Sequence, residues 1–314
     1  MKILVTGGAG FIPSCLTDKL IEDPNCSVVA VDNFLTGKRQ KISKSEFDNF
    51  LFVEADCNDY DQMSALFNEH KFDYVFHYAA VVGVKRTTDN PIAVLNDIEG
   101  LKHIFNLSTE HKIKRLFFSS SSEVYGEPVE LPQHEKTTPL NSKLPYAIVK
   151  NLGEAFCRSY QQMYGLDYTI FRFFNTYGPK QSPDFVMSKF IKQALKNEDI
   201  TIYGKGDQTR TFCYVDDNIE ATMKAFKNEL FVNDIINIGN DKETTILELA
   251  EVIQRLTKSQ SKIVFLPPLK EGDMTRRQPN AANMRKLLAH DFCPLEIGVR
   301  KVIESKIYQE LNQI

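Results

Sequence analysis

The sequence has no tryptophan, and its six cysteines (Cys15, Cys26, Cys57, Cys157, Cys213 and Cys293) never form a C-x-x-C pair. Its six histidines are not at metal-ligand spacing either, so no metal site is predicted. Scattered free thiols in a reducing cytosol are the expected state. Net charge is only −3, which removes the basic footprint of a nucleic-acid binder. The run Lys38 to Lys44 is short and mixed with polar residues, and it reads as a solvated loop. No apolar run reaches about 18 residues, and the N-terminus shows no charged segment with a cleavage site. Neither a membrane span nor secretion is indicated, and a cytoplasmic protein is expected. Repeats and low-complexity stretches are also lacking. What remains is 314 residues, 42% hydrophobic and 25% charged. That suffices for one large or two fused globular domains with a real core.

The N-terminal run Lys2-Ile-Leu-Val-Thr6 is short and continuously apolar, as in a strand buried on both faces. It enters Gly7-Gly8-Ala9-Gly10-Phe11-Ile12-Pro13, then a helical pattern through Leu16, Leu20 and Ile21. A strand, a glycine turn and a helix together make a Gly-rich motif informative. Gly7 permits the tight turn, and Gly10 lets N–H groups at the helix start approach a pyrophosphate. A second strand, Val28 to Val31, ends at Asp32, about twenty residues after the glycines. A carboxylate there accepts from a ribose 2′-OH and repels a 2′-phosphate. The prediction is therefore NAD rather than NADP, which Lys38 and Arg39 beyond the turn weaken only slightly.

Further strands follow at Leu51-Phe-Val53, Tyr74-Val-Phe76 and Arg115-Leu-Phe-Phe118, with a helical pattern from Pro91 to His111. This alternation predicts an α/β fold, a Rossmann-type doubly wound parallel sheet. Ligands in such sheets lie at the carboxyl ends of strands. Gly7, Gly10, Phe11, Ile12, Asp32, Asn33, Asp56, Cys57, Ala79 and Ala80, at or just after such ends, are candidate cofactor-binding residues, and Tyr146 and Lys150 join them from a predicted helix. His77 is at a strand end too, where a structural hydrogen bond is expected of it. The last of these strands runs into Ser119-Ser120-Ser121-Ser122-Glu123-Val124-Tyr125-Gly126. Tyr146 and Lys150, four apart on a predicted helix 144–164, share a face. A hydroxyl, a carboxylate, a phenol and an amine are the parts needed to move a hydride and a proton. A phenol of pKa near 10 is a poor base until a neighbouring ammonium favours the phenolate.

Together, Gly7-x-x-Gly10, Asp32, the Ser-rich strand end and Tyr146-x-x-x-Lys150 resemble the extended short-chain dehydrogenase/reductases. More narrowly they resemble the NAD-dependent nucleotide-sugar epimerase/dehydratase family. Arg172-Phe-Phe-Asn175-Thr-Tyr-Gly178-Pro179, Thr201-Ile-Tyr-Gly204, Gln208-Thr-Arg210-Thr-Phe212, Tyr214-Val-Asp-Asp217 and Asn237-Ile-Gly239 extend the likeness over nearly the whole chain. One departure is Pro13, where the family has a third glycine. Proline is tolerated in a helix's first turn, so NAD is still expected to bind.

The resemblance implies oxidation at C4 of a nucleotide diphosphate hexose. Tyr146 would take the hydroxyl proton, Ser121 would hydrogen-bond the reacting oxygen, and Lys150 would hold the nicotinamide ribose. Ser121, Glu123, Tyr146 and Lys150 are the candidate catalytic residues. Glu123 matches the 4,6-dehydratases' C5 base, and its rival role is to order the loop. Ser122 stands where one dehydratase group carries an aspartate. The segment Ala79 to Val84 departs from the decarboxylases. The outcome stays open between 4-epimerisation and 4,6-dehydration, an isomerase or lyase of carbohydrate biosynthesis. Decarboxylation of a UDP-glucuronate type and net C4 oxidation stand behind them. A non-catalytic NAD-sensing protein is the rival class, and the intact Ser121, Tyr146 and Lys150 argue against it.

Residues 1–175 are read as the NAD-binding domain. Residues 176–314 are read as mainly a smaller mixed α/β substrate domain, with some segments returning to the core. Short strands are expected near 200–203 and 235–238, and helices at 216–228, 246–258, 281–289 and 295–312. The candidate substrate-binding residues are Ser121, Ser122, Asn175, Tyr203, Arg210 and Arg276, the arginines because a guanidinium forks onto phosphate oxygens. A homodimer through the helices 91–111 and 144–164 is what the resemblance implies. No nucleic-acid or membrane partner is expected.

Overall fold

The computed structural model describes residues 1–43, 48–82, 90–268 and 276–314. Lys44, Gly83 and Val84, which entered the sequence reading, lie outside them. The chain forms two compact units. The first comprises Met1–Val124, Ser142–Arg172 and Ala225–Ile236; the second comprises Tyr125–Asn141, Phe173–Lys224 and Asn237–Ile314.

The first unit is built on a seven-stranded sheet in the order β11-β6-β5-β4-β1-β2-β3. The strands are β1 (Lys2–Thr6), β2 (Ser27–Asp32), β3 (Phe50–Glu54), β4 (Tyr74–His77), β5 (Arg115–Ser121), β6 (Tyr168–Phe173) and β11 (Asp234–Ile238). β1 pairs in parallel with both β2 and β4, so the winding reverses between β1 and β4. That crevice is where doubly wound sheets take ligands. The apolar runs read from the sequence are the buried strands: Ile3, Leu4, Val28, Ala30, Val75, Phe76, Leu116 and Phe117 are wholly covered. Phe76 stacks on Phe117 across β4 and β5, with ring centroids 4.3 Å apart.

Helices α1 (Phe11–Ile21), α2 (Tyr60–His70), α3 (Pro91–Leu95), α4 (Asp97–Glu110) and α5 (Pro145–Tyr164) flank this sheet. The expected helix 91–111 is interrupted only at Asn96, whose backbone keeps helical angles. Helix α2 was not read from the sequence. Asp59 caps it by accepting the Gln62 N–H at 3.1 Å, and Met63, Leu66 and Phe67 form its buried stripe. Lys41, expected on a solvated loop, is buried instead.

The second unit is mixed. β7 (Thr176–Tyr177) pairs with β10 (Cys213–Tyr214), β9 (Thr209–Thr211) with β12 (Glu243–Thr245), and β8 (Ile200–Tyr203) with β13 (Ile263–Leu266). Its helices include α6 (Val186–Leu195), most of α7 (Val215–Lys227), α8 (Ile246–Thr257) and α9 (Ala282–Leu288). The expected helix 295–312 is two helices, α10 (Leu295–Glu304) and α11 (Lys306–Asn312). Ser305 is extended between them, and its hydroxyl accepts the Tyr308 N–H. Hydroxyl side chains favour such caps over helix interiors.

Candidate active site

The Ser-rich run straddles the end of β5, and α5 crosses it. Alternation along the strand puts Phe118 and Ser120 on one face and Ser119 and Ser121 on the other. Phe118 packs on Gly153 of α5 so closely that a Cβ there would come within 2.1 Å of the ring. Ser120 donates to Glu154 at 2.7 Å, and the Arg172 guanidinium forks onto the same carboxylate at 2.7 and 2.8 Å. This buried trio fixes β5, β6 and α5 against one another. The α5 spacing that carries Glu154 also carries Tyr146 and Lys150, at positions i, i+4 and i+8 of one face.

Lys150 is buried, and its ammonium donates to Ser119 Oγ at 3.2 Å. It lies 5.7 Å from the centre of the Tyr146 ring and 5.1 Å from that of Phe118. Burial pulls Lys150 down to about 8, and the half-buried carboxylate Asp97 opposes the fall. Asp97 itself is held by the Val81 N–H at 2.8 Å, and burial pushes its carboxyl up. Ser121 Oγ accepts the Glu123 N–H at 3.2 Å, which joins the predicted hydroxyl and the base of the carboxylate. Ser122 is buried beside them.

His77 has the structural role expected of it. Its Nδ1 lies 2.9 Å from Thr6 Oγ1, which also accepts the N–H groups of Tyr78 and Ala79. With both lone pairs engaged, the threonine donates its own proton to Nδ1. The ring is therefore neutral, and burial holds it down at about 3. These bonds also fix Tyr78 and Ala79 after β4, against Gly7. Gly7 has φ +74°, and a Cβ there would meet the Ala79 backbone at 3.0 Å. Gly10 caps α1 without a side-chain bond, and a Cβ on it would lie 2.8 Å from the Gly7 carbonyl and 3.1 Å from Pro13.

Asp32 ends β2 with one oxygen accepting the Ala9 N–H at 3.0 Å and the other that of Phe34 at 2.8 Å. Burial pushes its carboxyl up, while these bonds and the Lys41 charge pull it back. Arg39 is turned to Glu54 and stacks on the Phe34 ring, its guanidinium carbon 4.2 Å from the centroid. Asn33 donates to Asp56 at 2.9 Å, joining two more predicted residues. Cys57 is buried, and burial pushes its thiol up to about 12.

The remaining predicted residues belong to the second unit. Asn175 has φ +34°, and its Nδ2 is buried with no hydrogen-bond partner among the described residues. Arg210 on β9 is buried and donates to the Thr209 carbonyl at 2.7 Å. Arg276 is exposed and forks onto Glu243 at 2.9 and 3.1 Å. Its neighbour Arg277 is the buried one, at 7% exposure. Tyr203 is partly exposed, and the Lys189 ammonium sits 5.0 Å from its ring centre.

Residues 3–239 match the family model described as the NAD dependent epimerase/dehydratase family. The chain belongs to that family. It is 37% identical over 96% of its length to a UDP-N-acetyl-alpha-D-glucosaminuronate decarboxylase of Bacillus cytotoxicus, of which it covers 97%. It superposes with a TM-score of 0.90 on the UDP-glucose 4-epimerase of Thermotoga maritima with UDP-glucose, at 33% identity and 97% and 98% coverage. The UDP-glucuronic acid 4-epimerase of Bacillus cereus in complex with UDP-glucuronic acid and NAD gives 0.89, at 29% identity, with 99% and 100% covered.

NAD is the cofactor of this chain. The first unit fits it: an uncapped helix start beside a glycine turn where added Cβ atoms would clash, and a buried carboxylate at the end of β2. Sequence reasoning gave no role to Ser119, Asp97 or Thr6. The i, i+4, i+8 spacing of Tyr146, Lys150 and Glu154 was the signal available for Glu154. Within four consecutive serines, nothing short of strand register tells Ser119 from its neighbours.

Proposed function

We propose that this family member is an enzyme that oxidises C4 of a UDP-linked sugar to a 4-keto species and then reduces it, with 4-epimerisation as the net reaction. The observation that carries this reading is the buried Lys150 ammonium beside the Tyr146 ring, on the face of α5 that meets the end of β5. NAD, when bound, would supply the hydride acceptor and donor for this chemistry. Tyr146, as phenolate favoured by the Lys150 charge, accepts the proton of the C4 hydroxyl. Ser121 donates to the same oxygen, and as the ketone is reduced Tyr146 gives the proton back.

We assign the first unit to the cofactor and the second to the nucleotide sugar. Asn175 is the strongest substrate ligand of the second unit, because leaving its Nδ2 buried and unpaired costs about 1–3 kcal/mol until an acceptor arrives. Diphosphate oxygens are such acceptors. Arg210, Arg276 and Arg277 are the cationic candidates for the same group, and Arg277 is favoured over Arg276 because it is the buried one of the adjacent pair. Uridine is the nucleotide, as in the printed names of the relatives above.

A second reading is favoured by the decarboxylase relative together with Glu123. If the sugar is a hexuronate, a C4 ketone is β to the carboxylate. Carbon dioxide then leaves, and the resulting enolate is protonated at C5. Incubation with NAD and a panel of UDP-hexoses and UDP-hexuronates, read by mass spectrometry, separates the two. An unchanged mass with a new retention time marks the epimerase, and loss of carbon dioxide marks the decarboxylase. Loss of water, or no change across the panel, would contradict both. We also propose a cytoplasmic homodimer through α3, α4 and α5, where Ile92, Leu95, Ile148, Met163 and Tyr164 are exposed.

A further inference from the structure

Lys150 has an ammonium with three donors in a buried position. Among the described residues its hydrogen-bond acceptor is Ser119 Oγ, at 3.2 Å. Ser119 in turn donates to the His77 backbone carbonyl at 3.3 Å. That second bond decides the direction of the first. With its proton committed to a carbonyl on β4, the serine hydroxyl presents a lone pair to Lys150. The carbonyl cannot turn away, because Thr6 holds the N–H groups of Tyr78 and Ala79 just beyond it. Among the described residues, the other groups around the ammonium are the Phe118 and Tyr146 rings, the neutral His77, and Asp97 on α4 with Asp56 behind it. Asp97 acts at longer range and is held by Val81.

We propose that Ser119 is a positioning residue: steered by the His77 carbonyl, its hydroxyl keeps the Lys150 ammonium charged and anchored beside Tyr146. The proposal rests on the reading of Tyr146 and Lys150 as the proton-transfer pair. Physically, a buried ammonium that loses its acceptor is less stable as a cation, while neutral Lys150 loses far less. Burial already brings Lys150 to about 8, so a further fall removes the charge within the working range. The rate then declines at lower pH on the alkaline side, where Lys150 deprotonates.

The test uses the NAD-loaded protein labelled with 13Cε-lysine, with the Lys150 signal assigned by its loss in Lys150→Met. Wild type, Ser119→Ala and Ser119→Thr are titrated by NMR, and kcat/KM is measured across pH with the UDP-sugar that the panel identifies. Ser119→Ala is expected to lower the Lys150 midpoint by about one pH unit, the tenfold effect of one charge-assisted bond. The alkaline limb of kcat/KM should move with it, and Ser119→Thr, which keeps the hydroxyl, should restore both. An unchanged Lys150 midpoint in Ser119→Ala would overturn the proposal. A lowered midpoint in a protein that turns over no UDP-sugar would support the anchor and overturn the proposed reaction.

Discussion

The phenol of Tyr146 takes its proposed reactivity from the ammonium four residues along its helix. Tyr146→Phe should lower turnover by about a thousandfold or more while the protein keeps NAD and its melting temperature. Equal turnover by the two proteins, measured under the same UDP-sugar saturation, would remove Tyr146 from the chemistry. His77 makes a separate prediction about stability. It is neutral in the fold, with its pKa depressed to about 3 from the usual 6.5, whereas the unfolded chain protonates it below about 6.5. The unfolded state therefore binds more protons between those values, and stability falls as pH drops through that window. His77→Gln should flatten this part of a urea-unfolding series taken from pH 7 to 4. At this scale the sequence was readable where spacing or residue type carries the chemistry: Tyr146 and Lys150 by a helical repeat, Asp32 by its distance from the glycines. It was unreadable where only register or burial decides. Ser119 sits in a run of four serines, and Arg276 and Arg277 are adjacent and chemically identical, yet one is exposed and the other buried.

Helix α5 meets β5 at Gly153 and through the Ser120–Glu154 hydrogen bond, and meets β6 through the buried Glu154–Arg172 ion pair. Gly153→Ala would drive a methyl into Phe118 and should cost about 1–3 kcal/mol in equilibrium unfolding. A variant as stable as wild type would show that the helix can move away freely. Helix α1 has the opposite character, because its start is the proposed seat of the NAD pyrophosphate. Pro13 removes the N–H at its third position and packs against Gly10. The protein should still hold NAD. Pro13→Gly should slow NAD loss during gel filtration, and Gly10→Ala should speed it severalfold. Identical retention in all three would detach the glycine turn from cofactor binding. The strands of the sheet were legible because two-sided burial writes continuous apolar runs. Helix α2 went unread because its buried stripe is only Met63, Leu66 and Phe67 in a polar context. The break at Ser305 was hidden because apolar periodicity continues across it.

At the scale of the whole molecule, the doubly wound sheet and the family were readable from the order of the motifs. The net reaction was not, since relatives of similar identity carry both decarboxylase and epimerase names. The assembly is a further matter of surface. The exposed Ile92 and Ile148 predict a particle of about twice 35.9 kDa by sedimentation, and Ile92→Glu with Ile148→Glu should yield monomer. A wild-type monomer would refute the proposed homodimer. The central claim is hydride removal from C4 and its return, and one measurement reaches it directly. The NAD-loaded protein would be given UDP-glucose and UDP-glucuronate deuterated at C4, and the product position of the label read by NMR. The proposed reaction predicts a primary isotope effect, transient NADH fluorescence, and deuterium retained at C4 of the product. Product that forms with no isotope effect, or with the label lost to water, would contradict it.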